Sequence, residues 1–129
     1  MLDLFAGSGA LGLEALSRGA ASAVLVESDR EACRTINANL EKLKLHATVL
    51  CQDAVRAVAG DRRTYDLILA DPPYDYDHTR LAPQLPRLLS QDGVLVWESS
   101  GREAPPQFEG LTERTSRKYG SARLTLFEL

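Results

Sequence analysis

The chain has 129 residues, of which 44% are hydrophobic and 26% charged, and its formal net charge is −3. This length allows one compact domain over residues 1–129, and the composition excludes a disordered protein. No apolar run approaches the roughly 20 residues that span a bilayer, and the N-terminus lacks signal-peptide character, so we expect a cytoplasmic protein without a membrane partner. The negative net charge excludes a surface coated in positive charge, so nucleic acid would have to bind a local patch.

The first seventy residues alternate short apolar runs with segments of helical periodicity. The apolar runs predict strands at residues 1–5, 23–27, 48–51 and 65–70. The segments between them predict one helix up to Gly19, one capped by Asp29, and one capped by Asp53 that ends near Gly60. The second helix is expected to carry four apolar residues on one face: Ala32, Ile36, Leu40 and Leu43.

The remaining residues predict a helix over roughly 79–90, a strand at 94–98, and a hairpin whose arms, 111–118 and 122–128, flank Tyr-Gly-Ser. Alternating strands and helices indicate an α/β fold with a mostly parallel sheet covered on both faces and right-handed crossovers. The hairpin is expected to add an antiparallel edge to that sheet.

The cysteines and histidines do not form a metal-binding or redox pattern. Cys33 and Cys51 lack C-x-x-C spacing, and we therefore predict two buried free thiols. His46 and His78 are likewise expected to have no metal-binding role.

Polar residues follow four of the predicted strands, where parallel sheets bind ligands. The segment Gly7–Gly12 reads G-x-G-x-x-G after a strand and before a helix, and Glu27 lies twenty residues beyond Gly7. These features fit any adenosine-containing cofactor, a nicotinamide or flavin dinucleotide included. A carboxylate at Asp53 and the Ala54 amide could read the amino edge of adenine, although a plain helix cap explains Asp53 equally well. Asp3, a charged residue inside a buried strand, is expected to line the cofactor pocket.

A second motif, Asp71-Pro72-Pro73-Tyr74, ends the fourth predicted strand. Two prolines remove two backbone donors and stiffen the turn, so the Asp71 carboxylate and a proline carbonyl form two fixed acceptors. An –NH₂ group has two N–H donors that such a pair can hold. Tyr74 offers a flat face on which a nucleobase could stack.

This arrangement suits methyl transfer to the exocyclic amine of a base. The lone pair of such an amine is delocalised into the ring, and hydrogen bonds to both N–H groups favour the pyramidal form in which the pair is available. A sulfonium methyl donor is already activated, so the protein supplies alignment and a negative charge near the developing positive one. No metal is required.

These residues resemble the RsmD family of 16S ribosomal RNA guanine-N2 methyltransferases. The resemblance rests on residues 2–15 (LDLFAGSGALGLEA) and on Asp71–Tyr74, and it extends to residues 26–29, 97–99 and 118–124. Asp or Asn followed by Pro-Pro-aromatic is shared with other base-amine and protein-glutamine methyltransferases, so this motif specifies the reaction better than the substrate.

The resemblance implies a Rossmann-like, seven-stranded class I fold and S-adenosylmethionine as the cofactor. The cofactor-binding residues we expect are Asp3, Phe5, Ala6, Gly7, Ser8, Gly9, Glu27, Ser28, Asp53, Ala54 and Asp71. The catalytic residues we expect are Asp71, Pro72, Pro73 and Tyr74. The implied partner is 16S ribosomal RNA, either free or in a small-subunit assembly particle, bound by a monomer.

Family members usually carry an N-terminal segment that helps to bind RNA and cover the cofactor, whereas this sequence opens on the first strand. We therefore expect weaker cofactor and RNA binding than in a longer relative. The tail hairpin supplies the candidate RNA-binding residues Arg117, Lys118 and Tyr119, although a merely solvated charged face explains them about as well.

Three other interpretations remain open from the residues. A dinucleotide-dependent oxidoreductase would use the glycine motif and Glu27 but gives Asp71–Tyr74 no task. A DNA adenine-amine methyltransferase would use the same turn, although 129 residues leave no room for a separate target-recognition domain. The third is a scaffold that has lost activity, yet the expected catalytic residues are all present.

Overall fold

The computed structural model describes all 129 residues, which divide into two compact units, residues 1–60 and 61–129. The first unit alternates strands with helices: β1 (Leu2–Asp3), α1 (Ala10–Ser17), β2 (Val24–Val26), α2 (Arg30–Leu43), β3 (Thr48–Leu50) and α3 (Ala54–Ala59). Strand β2 pairs in parallel with β1 on one side and with β3 on the other. The carboxyl ends of these three strands therefore lie at one edge.

The helices of the first unit begin where the sequence predicts. The Asp29 carboxylate accepts a hydrogen bond from the Ala32 amide at 3.0 Å, and the Asp53 carboxylate accepts one from the Arg56 amide at 3.2 Å. Each carboxylate thereby satisfies an amide that the first helical turn leaves unpaired. Strand and helix side chains pack into one core, formed by Leu13, Ala23, Leu25, Ile36 and Leu40.

The second unit consists of strands with little helix. In chain order it has β4 (Tyr65–Ala70), a 3-10 turn (Ala82–Gln84), α4 (Leu85–Leu88), β5 (Leu89–Ser100), β6 (Thr112–Tyr119) and β7 (Ala122–Glu128). Strands β4 and β5 are parallel, while β7 is antiparallel to both β5 and β6. Gly120, with φ 60°, provides the left-handed turn of the β6–β7 hairpin.

The sheet has seven strands in the order β3-β2-β1-β4-β5-β7-β6. The predicted α/β, Rossmann-like fold, mostly parallel with a C-terminal antiparallel hairpin, is therefore confirmed. None of the helices combines the length and the apolar character needed to cross a membrane.

The helix predicted over 79–90 is wrong. Only the 3-10 turn and the four residues of α4 are helical, and each of these segments has a proline in its first turn, Pro83 or Pro86. A proline is tolerated there but cannot donate to a preceding turn, so the two prolines prevent one continuous helix. The strand predicted at 94–98 is correspondingly too short, because β5 already pairs with β4 at Leu89.

The predicted apolar face of α2 is partly wrong. Ile36 and Leu40 are buried, but Leu43 is 54% exposed and Cys33 takes its place in the core. Leu43 is the last residue of the helix, and the next residue, Lys44, turns the chain with φ 55°. The buried stripe therefore ends at Leu40.

The prediction of two free thiols is also wrong, because Cys33 and Cys51 are paired as a disulfide. Cys33 lies in the first turns of α2, and Cys51 follows β3. The fold brings their Cα atoms to 6.0 Å, a separation that permits a disulfide. Their 18-residue spacing gives no local pattern from which this pairing could be read.

A buried carboxylate anchors the segment that enters β4. Asp61 is 8% exposed, and it accepts hydrogen bonds from the Arg63 amide at 2.9 Å, from Arg63 Nε at 3.0 Å and from the Tyr65 hydroxyl at 2.5 Å. Burial raises the pKa of Asp61, but the hydrogen bonds from Arg63 and Tyr65 outweigh burial and hold the pKa below its ordinary value of 3.8. The ionised form is therefore the one that stabilises this segment.

We expect Asp61→Asn to lower the free energy of unfolding by about 1.5–3 kcal/mol at pH 7, because it weakens hydrogen bonds to a charged acceptor. The folded pKa lies below the unfolded one, so this stability is present above the unfolded pKa and is lost as pH falls through the folded pKa. Urea unfolding should show the difference between the two proteins shrinking below pH 4. Asp92→Asn, at an exposed position, serves as the control, and an equal deficit at pH 3 and pH 7 would contradict the explanation.

Candidate active site

The loop after β1 exposes its backbone at the carboxyl edge of the first unit. The Ala6 amide donates to the Val26 carbonyl at 2.9 Å, and the Gly9 amide donates to the Ala6 carbonyl at 2.8 Å, so the loop is fixed to β2 and folded on itself. Gly7 has φ 60°, and no atom lies within 4 Å of the place where a Cβ would be. The loop therefore leaves open space beside its backbone, as the approach of a ligand requires.

Glu27 holds this loop in place. Its Oε1 accepts a hydrogen bond from the Gly7 amide at 2.8 Å, and its Oε2 accepts one from the Asp29 amide at 2.9 Å. An ionised carboxylate has about four lone-pair sites, so one amide on each oxygen leaves acceptor capacity for the two hydroxyls of a ribose. The sequence predicted Glu27 as a ribose acceptor, which stays a prediction, but gave no sign of its part in shaping the glycine loop.

Of the other predicted cofactor-binding residues, all except Asp71 lie in the same unit. Asp3 is buried in β1, Phe5 and Ala6 are half-buried in the glycine loop, and Ser28 is exposed beyond β2. Beyond β3, Asp53 has an exposed side chain that caps α3. The polar groups at this edge fit an adenosine cofactor, because carboxylates follow β2 and β3 and the backbone after β1 is accessible. The binding roles of these residues stay predictions.

An open cleft of about 700 Å³ lies within the second unit. It is lined by all four residues of the Asp71–Tyr74 turn, by the end of β5 from Trp97 to Ser100, and by the hairpin residues Ser121 and Ala122. Residues 102–104 of the loop after β5 complete one wall. The structure thus places the predicted catalytic turn at a cavity large enough for a planar ligand.

The two proline carbonyls of the turn differ in their hydrogen bonds. The Pro73 carbonyl accepts a hydrogen bond from the Tyr76 amide at 3.0 Å, which closes the turn. The Pro72 carbonyl has both lone pairs available and is the better candidate to act beside the Asp71 carboxylate. The Tyr74 side chain is 84% exposed, so its ring is free to stack on a base rather than being part of the core.

Glu98 is a functional candidate that sequence reasoning missed. The register of β4 and β5 pairs Ala70 with Trp97, so the next residues, Asp71 and Glu98, emerge side by side. Burial, together with a hydrogen bond to Asp71 and the charge of Asp71, raises the pKa of Glu98 above its ordinary value of 4.5. The signal was an acidic residue at the end of an apolar strand, the same signal that pointed to Glu27 and Asp71.

Aromatic rings form the inner wall of the cleft. His78 packs edge to face against Trp97, with ring centroids 5.7 Å apart, and against Phe108 at 5.4 Å. Trp97 and Phe108 are themselves in edge-to-face contact at 5.0 Å. His78 therefore packs in an aromatic cluster, of which His78 and Trp97 line the cleft.

The predicted RNA-binding residues lie on the exposed end of the hairpin. Arg117 and Lys118 are exposed on β6, and Tyr119 is 57% exposed at its end. The Lys118 stem lies against Gly101, whose neighbours in the chain line the cleft. The structure therefore places Lys118 beside a residue that adjoins the cleft, and the binding of Arg117, Lys118 and Tyr119 to RNA stays a prediction.

The fold and this cleft define the class: the chain has the Rossmann-like fold of S-adenosylmethionine-dependent methyltransferases. It superposes on the solved structure of YhhF from Escherichia coli with a TM-score of 0.89 and 31% identity, covering 99% of this chain and 76% of YhhF. The chain belongs to the family described as "Conserved hypothetical protein 95", the RsmD family, whose model matches residues 1–128. The resemblance found in the sequence is thereby confirmed.

Two curated relatives match this chain over part of their own length. It is 37% identical to YlbH of Bacillus subtilis (strain 168), covering 98% of this chain and 74% of that protein. It is 40% identical to "Ribosomal RNA small subunit methyltransferase D" of Escherichia coli (strain K12), covering 76% of this chain. The alignment spans about half of the E. coli relative, 48% of its length.

We expect Glu27→Gln to weaken S-adenosylmethionine binding by about tenfold or more, because a charged acceptor contributes roughly 1.5–3 kcal/mol. Glu27 also holds the Gly7 amide, so the glycine loop should loosen in the same variant. Isothermal titration calorimetry gives the affinity, with Glu31→Gln on the exposed face of α2 as the matched control. Equal affinities for the wild type and Glu27→Gln would remove Glu27 from the cofactor site.

Proposed function

We propose that this chain transfers a methyl group from S-adenosylmethionine to the exocyclic N2 amine of a guanine in 16S ribosomal RNA, with residues 1–129 acting as one cytoplasmic methyltransferase domain. The observation that carries the proposal is the Asp71–Tyr74 turn, which lines an open cleft with its tyrosine ring exposed. Membership of the RsmD family and the name of the E. coli relative support ribosomal RNA as the substrate.

The cofactor supplies a methyl group already activated on a sulfonium. Glu27 would accept the ribose hydroxyls with the lone pairs that Gly7 and Asp29 leave available. Asp53 and the Ala54 amide would face the adenine, and the open backbone at Gly7 would admit the rest of the molecule. The chain thereby binds and orients the donor.

The amine is prepared by the second unit. The Asp71 carboxylate and the Pro72 carbonyl would each accept one N–H of the amine, which leaves the nitrogen lone pair directed out of the base plane. The carboxylate also stabilises the positive charge that develops on nitrogen, and it can accept the proton that the methylated amine loses. Stacking on the exposed Tyr74 ring would contribute about 1–3 kcal/mol to holding the base.

A base must leave its helix to reach such a cleft, so the substrate is an unpaired or extruded guanine. We infer that Arg117, Lys118 and Tyr119 bind the RNA around it, because they lie on the hairpin whose turn lines the cleft. The partner is then 16S ribosomal RNA, alone or in a small-subunit particle, bound by a monomer. No observation favours DNA adenine methylation or a dinucleotide-dependent reaction.

The experiment that tests the function is the transfer of a labelled methyl group to ribosomal RNA, with the modified nucleotide identified by mass spectrometry. We expect N2-methylguanine from the wild type. Asp71→Ala should lower the turnover number by at least about 10²-fold, because the amine loses its acceptor, and the loss of S-adenosylmethionine affinity should be far smaller than the loss of turnover. Asp75→Ala, an exposed neighbour outside the cleft, is the control. Label on another atom, or full activity of Asp71→Ala, would contradict the proposal.

The double variant Arg117→Glu, Lys118→Glu should bind RNA more weakly and with a smaller dependence on salt, because each lost phosphate contact lowers the salt slope by about one. Filter binding over a range of salt concentrations measures both quantities. Arg114→Glu is the matched control, since it reverses a charge on the same strand farther from the hairpin turn. If the double variant and the control behave alike, Arg117 and Lys118 do not form an RNA site.

A further inference from the structure

Two carboxyl groups, rather than one, face the place where the target amine would bind. Strands β4 and β5 are parallel neighbours, and the pairing of Ala70 with Trp97 brings Asp71 and Glu98 out at the same level. Both residues line the cleft. Neighbouring strands of a sheet lie about 4.8 Å apart, so two carboxyl groups that leave such strands at the same level can contact adjacent atoms of one ligand.

Two adjacent carboxyl groups match the edge of one base in particular. Guanine carries an N1–H next to its N2 amine, so it presents two neighbouring N–H donors that point the same way. Adenine has an acceptor at N1 beside its amine, and cytosine has an acceptor at N3 beside its amine. A second carboxylate next to the amine acceptor would therefore attract guanine and repel the other two bases, because a carboxylate has no donor to offer them.

We propose that Glu98 determines specificity for guanine, its carboxylate accepting the N1–H of the base whose N2 amine is bound by Asp71. This inference rests on the proposed function and adds the residue that selects the base. It also gives a role to a carboxyl group that the methyl-transfer step itself does not need.

The electrostatics of the cleft agree with this role. Burial of Glu98, together with the neighbouring Asp71 carboxyl, raises the pKa of Glu98 above its ordinary value of 4.5. An N–H donor of guanine would stabilise the ionised form of Glu98, whereas an acceptor atom of adenine or cytosine would not. The other charged or titratable groups that line the cleft are Tyr74, Tyr76, His78, Arg102 and Glu103.

The test is a double-mutant cycle between Glu98 and the N1–H of the base. Two RNAs of identical sequence carry either guanosine or 2-aminopurine riboside at the mapped target position. 2-Aminopurine keeps the amine but has an acceptor at N1. We expect the wild type to prefer guanosine by about tenfold or more in kcat/KM. Glu98→Ala should reduce that preference to within about threefold, chiefly by losing activity on guanosine.

Glu109→Gln is the control, because Glu109 is an exposed carboxylate outside the cleft, and the preference of this variant should equal that of the wild type. Glu98→Gln keeps the size of the side chain and decides the question if Glu98→Ala does not fold; its preference should also fall. An Ala or Gln variant that loses activity on both RNAs by the same factor would show a merely structural role and overturn the inference. Wild-type protein that labels no guanine would instead refute the proposed function.

Discussion

The hydrogen bonds between the Glu27 carboxylate and the backbone amides of Gly7 and Asp29 are the constraint on which the first unit's ligand edge depends. One side chain joins the loop after β1 to the segment that enters α2. A half-buried carboxylate is costly without donors, and the two amides supply them. In return the carboxylate fixes Gly7 in the left-handed conformation that exposes its backbone. Glu27 therefore holds the glycine loop and the start of α2 in a fixed arrangement.

The candidate site of the second unit also lies at the carboxyl ends of parallel strands. Where a parallel ladder stops, side chains at equal levels on neighbouring strands leave the sheet together, and here those side chains are Asp71 and Glu98. The prolines that follow Asp71 end the strand and prevent a helix from starting at once. The aromatic cluster of His78, Trp97 and Phe108 supplies the apolar side of the cleft. The polar groups of the cleft thus come from the ends of two strands, and its apolar surface comes from aromatic residues elsewhere in the sequence.

Much of this architecture could be predicted because its signals are local. The caps at Asp29 and Asp53, the strand that ends in Asp71 and the hairpin around Gly120 each depend on a few adjacent residues. The failures are of two kinds. The prediction of a helix over 79–90 did not take into account the combined effect of Pro83 and Pro86, although both prolines are evident in the sequence.

The remaining failures required knowledge of the folded chain. The pairing of Cys33 with Cys51 and the contact between Asp71 and Glu98 join residues 18 and 27 positions apart in the sequence. Strand register decides such contacts, and no local pattern specifies the register of a parallel pair, which depends on the length of its crossover connection. The family resemblance gave the correct fold but left the role of Glu98 unassigned.

The exposed ring of Tyr74 has a thermodynamic consequence. With 84% of its surface in water, the ring keeps ordered hydration around apolar carbon atoms. Any flat ligand that covers it releases that hydration, and the heat capacity of the system falls as the apolar area is removed from water. The binding enthalpy of a flat ligand that covers Tyr74 is thus expected to become more favourable as temperature rises.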